Sequence, residues 1–316
     1  MSHPIVVIGS SNVDLIMKMS HLPQRGETVT DAVFLQTFGG KGAKQAVAAA
    51  RAGGDVAFVN CVGDDRYGAA IRENLQAAGI TTGFVFTEDG VASGTALVMI
   101  GDGGDNYLSV APGANYRLTR AHVDRAGALV AQAAMIVLQC EIVPDTLHHA
   151  IDLAAAQRRP IMLNLAPARP LPDAYLRKLT YLIVNESEAE FLCGTRVDSL
   201  AKAAEAGEAI RTRGPEVVIV TLGAHGSSVC AGSVPVHVPA FAVSAVDATA
   251  AGDTFCGTLA VALVEGRPLS DGVRFASAAA AIAVTRLGAQ PSIPERAEID
   301  RFLSESHSRA ALGAGL

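Results

Sequence analysis

Blocks of two kinds alternate along most of the chain: short apolar runs, often β-branched, and alanine-rich stretches whose apolar positions recur at helical spacing. The runs at 4–9, 56–63, 135–140, 160–167, 181–186 and 216–223 are apolar almost end to end, the pattern of strands covered on both faces. The stretches 43–51, 67–78, 119–134, 144–156, 199–212, 253–265 and 270–286 predict helices, punctuated by Gly or Pro. Together they predict an α/β fold with a mostly parallel central sheet flanked by helices.

Segments 26–40 and 92–115 break this rhythm. Both have strand composition, and no helix separates the arms of the second, whose turn centres on Asp102, Gly103 and Gly104. They predict a small β lid outside the main sheet, discontinuous in sequence (about 12–40 and 92–115), on one α/β domain spanning 1–316. A lid on a doubly wound sheet implies a ligand between the two, at the carboxyl ends of the strands. Only the final stretch, SHSRAALGAGL, has the composition of a fraying end.

Composition narrows the function. A net charge of −6 leaves no broad basic surface, which argues against a nucleic-acid partner. Gly or charge interrupts every apolar run well before the roughly 18–20 residues of a membrane helix, and the N-terminus lacks a secretory pattern, so the expectation is a cytoplasmic protein with no membrane partner. Five scattered cysteines, with no C-x-x-C pair, suggest neither disulfides nor zinc.

Four polar stretches carry candidate chemistry. GGKGAKQAVAAARAGG (39–54) invites a phosphate-loop reading, but a Walker motif needs Gly where Leu35 stands and Ser or Thr where Gly42 stands. A dinucleotide fingerprint fails too, since Ala43, Lys44 and Gln45 follow Gly42. What remains is a glycine-rich bend opening a helix, either a tight turn or a place where backbone approaches a ligand. Ala250, Ala251 and Gly252 lead into a long helix with Asp253 in its first turn, an anion-binding nest or a simple capped start. VNESEAEFL (184–192) places acidic residues at a strand end, suited to a water-bridged Mg²⁺ or to an acid-rich helix start. TLGAHGS (221–227) is a nucleotide-cradling loop or a hairpin turn.

The order of these stretches, with GSSNVDLI near the start and AAAAIAVTRLGAQPSIP (278–294) near the end, resembles the ribokinase branch of the phosphofructokinase B-type carbohydrate kinase family. The resemblance spans about 5–303 and implies a three-layer ribokinase-like sandwich that phosphorylates ribose with ATP. It implies that Asn12, Asp14, Gly40, Lys41, Lys44, Glu141 and Asp253 hold the sugar, and that Asp253 is also the general base beside an anion hole of Ala250, Ala251 and Gly252. It assigns the nucleotide to Asn185, Thr221, Leu222, Gly223, Ala224, His225, Gly226, Gly252 and Ser277, and water-bridged Mg²⁺ to Glu188. A K⁺ activator is implied at Asp247, Thr249, Ala283, Arg286, Gly288 and Ser292, and a homodimer through the lid.

Three positions depart from that family's pattern: Lys44 where Asn is usual, Ala248 where Thr is usual, and Ser277 where a longer polar residue is usual. Lysine loses the acceptor of Asn and adds a hydrated charge. Three outcomes stay open: weaker ribose binding, preference for an anionic substrate, or a Lys44 turned out of the site. Other readings are a kinase for another small sugar or nucleoside, and a sugar-binding protein with little turnover.

Overall fold

The structure, a computed structural model, describes residues 3–103 and 105–313, with side chains through 306. The first half contains β1 (Ile5–Ile8), β2 (Asn12–Met19), β3 (Val33–Gly39), α1 (Lys41–Arg51), β4 (Val56–Gly63), α2 (Arg66–Ala77), β5 (Thr81–Glu88), β6 (Thr95–Gly101) and β7 (Asn106–Ala111). Next come α3 (Arg120–Arg125), α4 (Gly127–Gln132), β8 (Met135–Gln139), α5 (Pro144–Ala156), β9 (Ile161–Asn164), α6 (Asp173–Leu176), β10 (Tyr181–Asn185), α7 (Glu186–Cys193) and α8 (Leu200–Arg211). The chain closes with β11 (Val217–Thr221), β12 (Ser227–Cys230), β13 (Val236–Val238), α9 (Ala251–Val264), α10 (Leu269–Val284) and α11 (Arg296–Gly313).

The large sheet has nine strands in the order β13-β12-β11-β10-β9-β8-β1-β4-β5. It is parallel from β5 to β11, with β12 and β13 added antiparallel at one edge. Its central strands are mostly apolar because both faces are covered. Ile5 and Val7 face one core with α1, α9 and α10, while Val6 and Ile8 face the other with α5 and α8. The alanine-rich helices let backbones approach: a Cβ on Gly257 of α9 would stand 2.3 Å from the Gln45 carbonyl of α1. That contact sets α1 against the start of α9, where Asp253 lies.

The second sheet has four strands in the order β3-β2-β6-β7 and matches the predicted lid in composition. Asp14 pairs across to Thr37 of β3 and Ala96 of β6, so these three share one face. Turn residues Asp102 and Gly103 follow β6, and Gly104 lies outside the described residues.

Several expectations need correction. The segment 26–40 is a strand only from Val33, and β2 joins it beside β6 and β7 in the small sheet. The helix expected over 119–134 is two short ones meeting at Ala126 and Gly127, where the chain leaves helical geometry for one residue. β5, β12, β13 and α11 were not foreseen. α11 takes up the expected fraying end as far as Gly313, and 314–316 lie outside the described residues. Among the described residues no helix is long and apolar enough to cross a membrane.

Candidate active site

A cleft of about 1090 Å³ opens between the two sheets. Six of the seven predicted sugar-side residues line it, Asn12 and Asp14 from β2, Gly40, Lys41 and Lys44 from the start of α1, and Glu141 after β8, while Asp253 does not. Glycines make this convergence possible. A Cβ on Gly39 would fall 2.1 Å from an Asp14 carboxylate oxygen, one on Gly40 2.6 Å from Ser11 Cα, and one on Gly42 2.6 Å from the Ser10 nitrogen. Gly40 also has φ +83°, which favours glycine. The Glu141 carboxylate then accepts from Ser10 Oγ at 2.5 Å and from the Lys41 amide at 2.9 Å, tying α1 to β8. Burial pushes the Asp14 carboxyl up to about 6, against the opposing pull of Lys44 and with the help of Glu141 and Asp253.

Asp253 lies at the N-terminus of α9, buried and behind Lys44 rather than on the cleft wall. Lys44 Nζ stands 2.7 Å from Asp253 Oδ2, with the two side chains 13% and 5% exposed. Lys44 is therefore not turned out of the site. Gln45 Nε2 donates to the other oxygen, Oδ1, at 3.0 Å. Burial alone would raise the Asp253 carboxyl, but the Lys44 and Lys41 charges and these hydrogen bonds hold it below its ordinary value. Burial likewise opposes the Lys44 ammonium, and Asp253 chiefly outweighs it, leaving the lysine firmly charged. In front of α9, Ala250 takes a left-handed conformation at φ 66°. The Ala251 amide donates to Ala248 O at 3.2 Å, while the Ala250 and Gly252 amides make no hydrogen bond among the described residues. A Cβ on Gly252 would meet nothing within 4 Å.

Of the residues expected at the nucleotide, Asn185 and Thr221–Gly226 gather at the ends of β10 and β11, where Asn185 pairs with Thr221, while Gly252 lies on α9. Asn185 and Glu188 form a capping box: Asn185 Oδ1 accepts from the Glu188 amide at 2.8 Å and Glu188 Oε2 from the Asn185 amide at 2.9 Å. Glu188 is buried, not solvated, and burial raises its carboxyl. The loop Leu222–Gly226 is a tight turn in which Leu222, His225 and Gly226 amides bond internally, leaving those of Gly223 and Ala224 without a bond among the described residues. Leu222 and His225 line a pocket of about 280 Å³ with Glu186 and Ser199. Ser277 lies on α10.

At the expected cation positions, Asp247 accepts from the Thr249 amide at 2.8 Å and the Gly288 amide at 3.0 Å, and Val284 O accepts from Val246 and Asp247. These bonds hold 246–249 against 284–288. Arg286 turns its side chain to Glu298, so only its backbone oxygen is left for a cation, and the amide of Arg286 already occupies Ala283 O. Ser292 is fully buried, its hydroxyl on Ala289 O. Carboxylate and carbonyl oxygens of this kind fit a hard monovalent cation. Among the described residues no group of three or more His, Cys, Asp and Glu is placed to hold a metal by side chains alone.

Sequence reasoning missed a set of buried amides. Gln139 Nε2 donates to Gln45 Oε1 at 2.7 Å, and Gln45 Nε2 also reaches Asn164 Oδ1 at 3.2 Å, so β8 and β9 fix the amide that holds Asp253. At the root of the small sheet, Asn115 Nδ2 donates to Asn12 Oδ1 and Asn115 Oδ1 accepts from the Ser11 amide and from Asn60. The available signal was an amide in each of three otherwise apolar runs: Asn60, Gln139 and Asn164.

The model of the pfkB family of carbohydrate kinases matches residues 2–296, and the chain belongs to that family. Within it, the chain is 40% identical to the ribokinase of Bacillus subtilis over 95% of this chain and 99% of that one. It is 36% identical to the deoxyribokinase of Salmonella typhi, over 95% and 98% of the two chains. Among solved structures, the ribokinase of Arabidopsis thaliana complexed with ribose and ATP superposes with a TM-score of 0.90 at 31% identity, covering 96% of this chain and 99% of that one.

Proposed function

We propose that this chain transfers the γ-phosphoryl group of ATP to the primary hydroxyl of D-ribose, giving D-ribose 5-phosphate, with Asp253 as general base. The observation that carries this reading is the buried Asp253 carboxylate at the start of α9, beside a cleft into which Asn12, Asp14 and Glu141 converge. The ribokinase relatives, one solved with ribose and ATP, support the same choice of substrates.

Asn12, Asp14, Glu141 and the Gly40–Lys41 backbone bind the sugar hydroxyls. Asp253 takes the proton of the attacking hydroxyl, a role for which it needs position more than basicity. The unbonded amides of Ala250 and Gly252, at the positive end of α9, face the transferring phosphoryl charge, and the Ala251 amide joins them by leaving Ala248 O. Asn185, Thr221–Gly226 and Ser277 hold the nucleotide. Glu188 would hold the waters of Mg²⁺, which when bound neutralises phosphate charge. Asp247, Thr249 and the backbone oxygens of 283–292 would hold K⁺ and so stiffen the approach to α9. Two small sheets pair across a twofold axis in a homodimer, a reading supported by apolar residues left exposed there, among them Val33, Phe34, Tyr107 and Leu108. A monomeric mass by light scattering at micromolar concentration overturns that pairing.

ADP release on adding ATP with D-ribose, 2-deoxy-D-ribose and other small sugars tests the reading, and ribose is expected to give the highest kcat/KM. Asp253→Asn should cut kcat by roughly 10²–10⁴-fold while leaving nucleotide binding in place. Near-normal turnover removes Asp253 from its role. A second reading, a kinase for a different small sugar, is favoured by one observation, the Lys44–Asp253 ion pair where the family's asparagine is expected. A clear preference for a non-ribose sugar decides for it.

A further inference from the structure

Both carboxylate oxygens of Asp253 are occupied, Oδ1 by Gln45 and Oδ2 by Lys44. The two donors differ in how readily they can leave. Gln45 is fully buried, and its amide is also engaged by Asn164 and Gln139, so withdrawing it would strand several buried polar atoms. Lys44 reaches Asp253 on a flexible stem, lines the cleft and keeps 13% of its side chain exposed. Asp253 itself is not on the cleft wall. A hydroxyl in the cleft therefore meets Asp253 by way of Lys44. Two further carboxylates wait in the same cleft: Asp14 and Glu141 both lie within electrostatic reach of the Lys44 ammonium.

We propose that Lys44 gates the general base: it covers Asp253 Oδ2 until a sugar displaces its ammonium toward Asp14 and Glu141, and so keeps water from being activated against ATP. The inference rests on the kinase reading with Asp253 as base. In the suppressed side reaction, a water oxygen bonds to the γ-phosphorus, the bond to the β,γ-bridging oxygen breaks and ADP leaves with inorganic phosphate as the other product. The proton of the water has to pass to an Asp253 oxygen, and the Lys44 ammonium, paired with Oδ2, stands between that carboxylate and the cleft. A sugar brings several hydroxyls at once, fixed by Asn12, Asp14 and Glu141, and can offset the broken ion pair. A single water brings no such set.

The experiment measures ADP release without sugar, and kcat and KM for D-ribose, in the natural chain, Lys44→Asn, Lys44→Met, Asp253→Asn and the Lys44→Asn/Asp253→Asn double variant. Lys44→Met leaves Asp253 buried without its counter-charge and is the variant at risk of misfolding. Lys44→Asn keeps an amide donor at the position, and ATP binding by calorimetry checks its fold. The expected result is a rise of about fivefold or more in sugar-free ADP release in both single Lys44 variants, a lower KM for ribose, and a return to background in the double variant. Sugar-free release within about twofold of the natural chain in a folded Lys44→Asn, with Asp253→Asn inactive on ribose, overturns the gate and leaves the kinase reading standing. Ribose turnover retained in Asp253→Asn overturns the base assignment, and the gate with it.

Discussion

Two glycine-rich turns each open a helix in this chain, and they use glycine for opposite reasons. At Gly39–Gly42 the missing side chains are a packing requirement, because a Cβ on Gly39, Gly40 or Gly42 would strike Asp14, Ser11 or Ser10. At Ala250–Gly252 the strained backbone belongs to an alanine, and a Cβ on Gly252 would meet open space. The first turn builds a wall and the second leaves room beside free amides. Composition alone made the first look like the phosphate loop. Open space and amides without a bonded partner among the described residues support the proposal that the second turn takes that part.

The sharpest way to break this contrast is to give both turns the same methyl group. Gly252→Ala should lower kcat by roughly 10–100-fold, because the added Cβ projects where the phosphoryl group is to approach the amides. Its melting temperature should hold or rise, since alanine is the better helix former by about 1 kcal/mol. Gly42→Ala should do the reverse, costing about 2 kcal/mol or more in denaturant unfolding, because the nearest atoms are backbone and cannot step aside. Equal thermal effects in the two variants would end the distinction.

Smaller effects test the wall itself. Lys44→Asn should lower the KM for ribose by about three- to tenfold, since a hydroxyl no longer competes with an ammonium for Asp253. An unchanged or higher KM contradicts this. The pH dependence of ribose binding should follow Asp14, whose carboxyl sits at about 6. The ionised form is the better hydroxyl acceptor, so affinity should rise with pH through that value and level off above it. Removing the Lys44 charge removes a neighbour that holds Asp14 down, so in Lys44→Asn the midpoint should move upward. A midpoint that stays in place separates Asp14 from Lys44. Replacing K⁺ by Na⁺ should slow turnover without altering the fold, and equal rates in the two salts argue against a cation at Asp247.

Much of this was legible because period and burial agree. β1, β4, β8, β10 and β11 announce themselves as unbroken apolar runs, and both faces of each are buried. β5 and β13 did not, for edge strands are half exposed and β13 spans three residues. The site divides the same way. Asp253 and Glu188 could be picked out as charges at element ends, while Asp14 came only with the family resemblance, which also supplied their grouping. The amides of Gln45, Gln139 and Asn164 could not, since a buried amide within an apolar run has the same pattern as a strand or helix tolerating one polar residue. Nor does periodicity carry the Lys44–Asp253 pair. It depends on the approach of α1 to α9 at Gly257, between residues more than two hundred positions apart.

The amide cluster at the root of the small sheet also governs how that sheet can move. Asn60, Asn115 and Asn12 bond to one another and to Ser11 with little access to water, while every residue of β7 at the far edge is exposed. Bending is therefore concentrated about a fixed pivot, and sliding would break several dry hydrogen bonds together. In native-state hydrogen exchange the β7 amides should trade with solvent on a timescale of local fraying wherever no second copy covers them. The Ser11 amide, held by Asn115, should wait for the opening of the main sheet, so the small sheet behaves as a flap that is loose at its rim and clamped at its base.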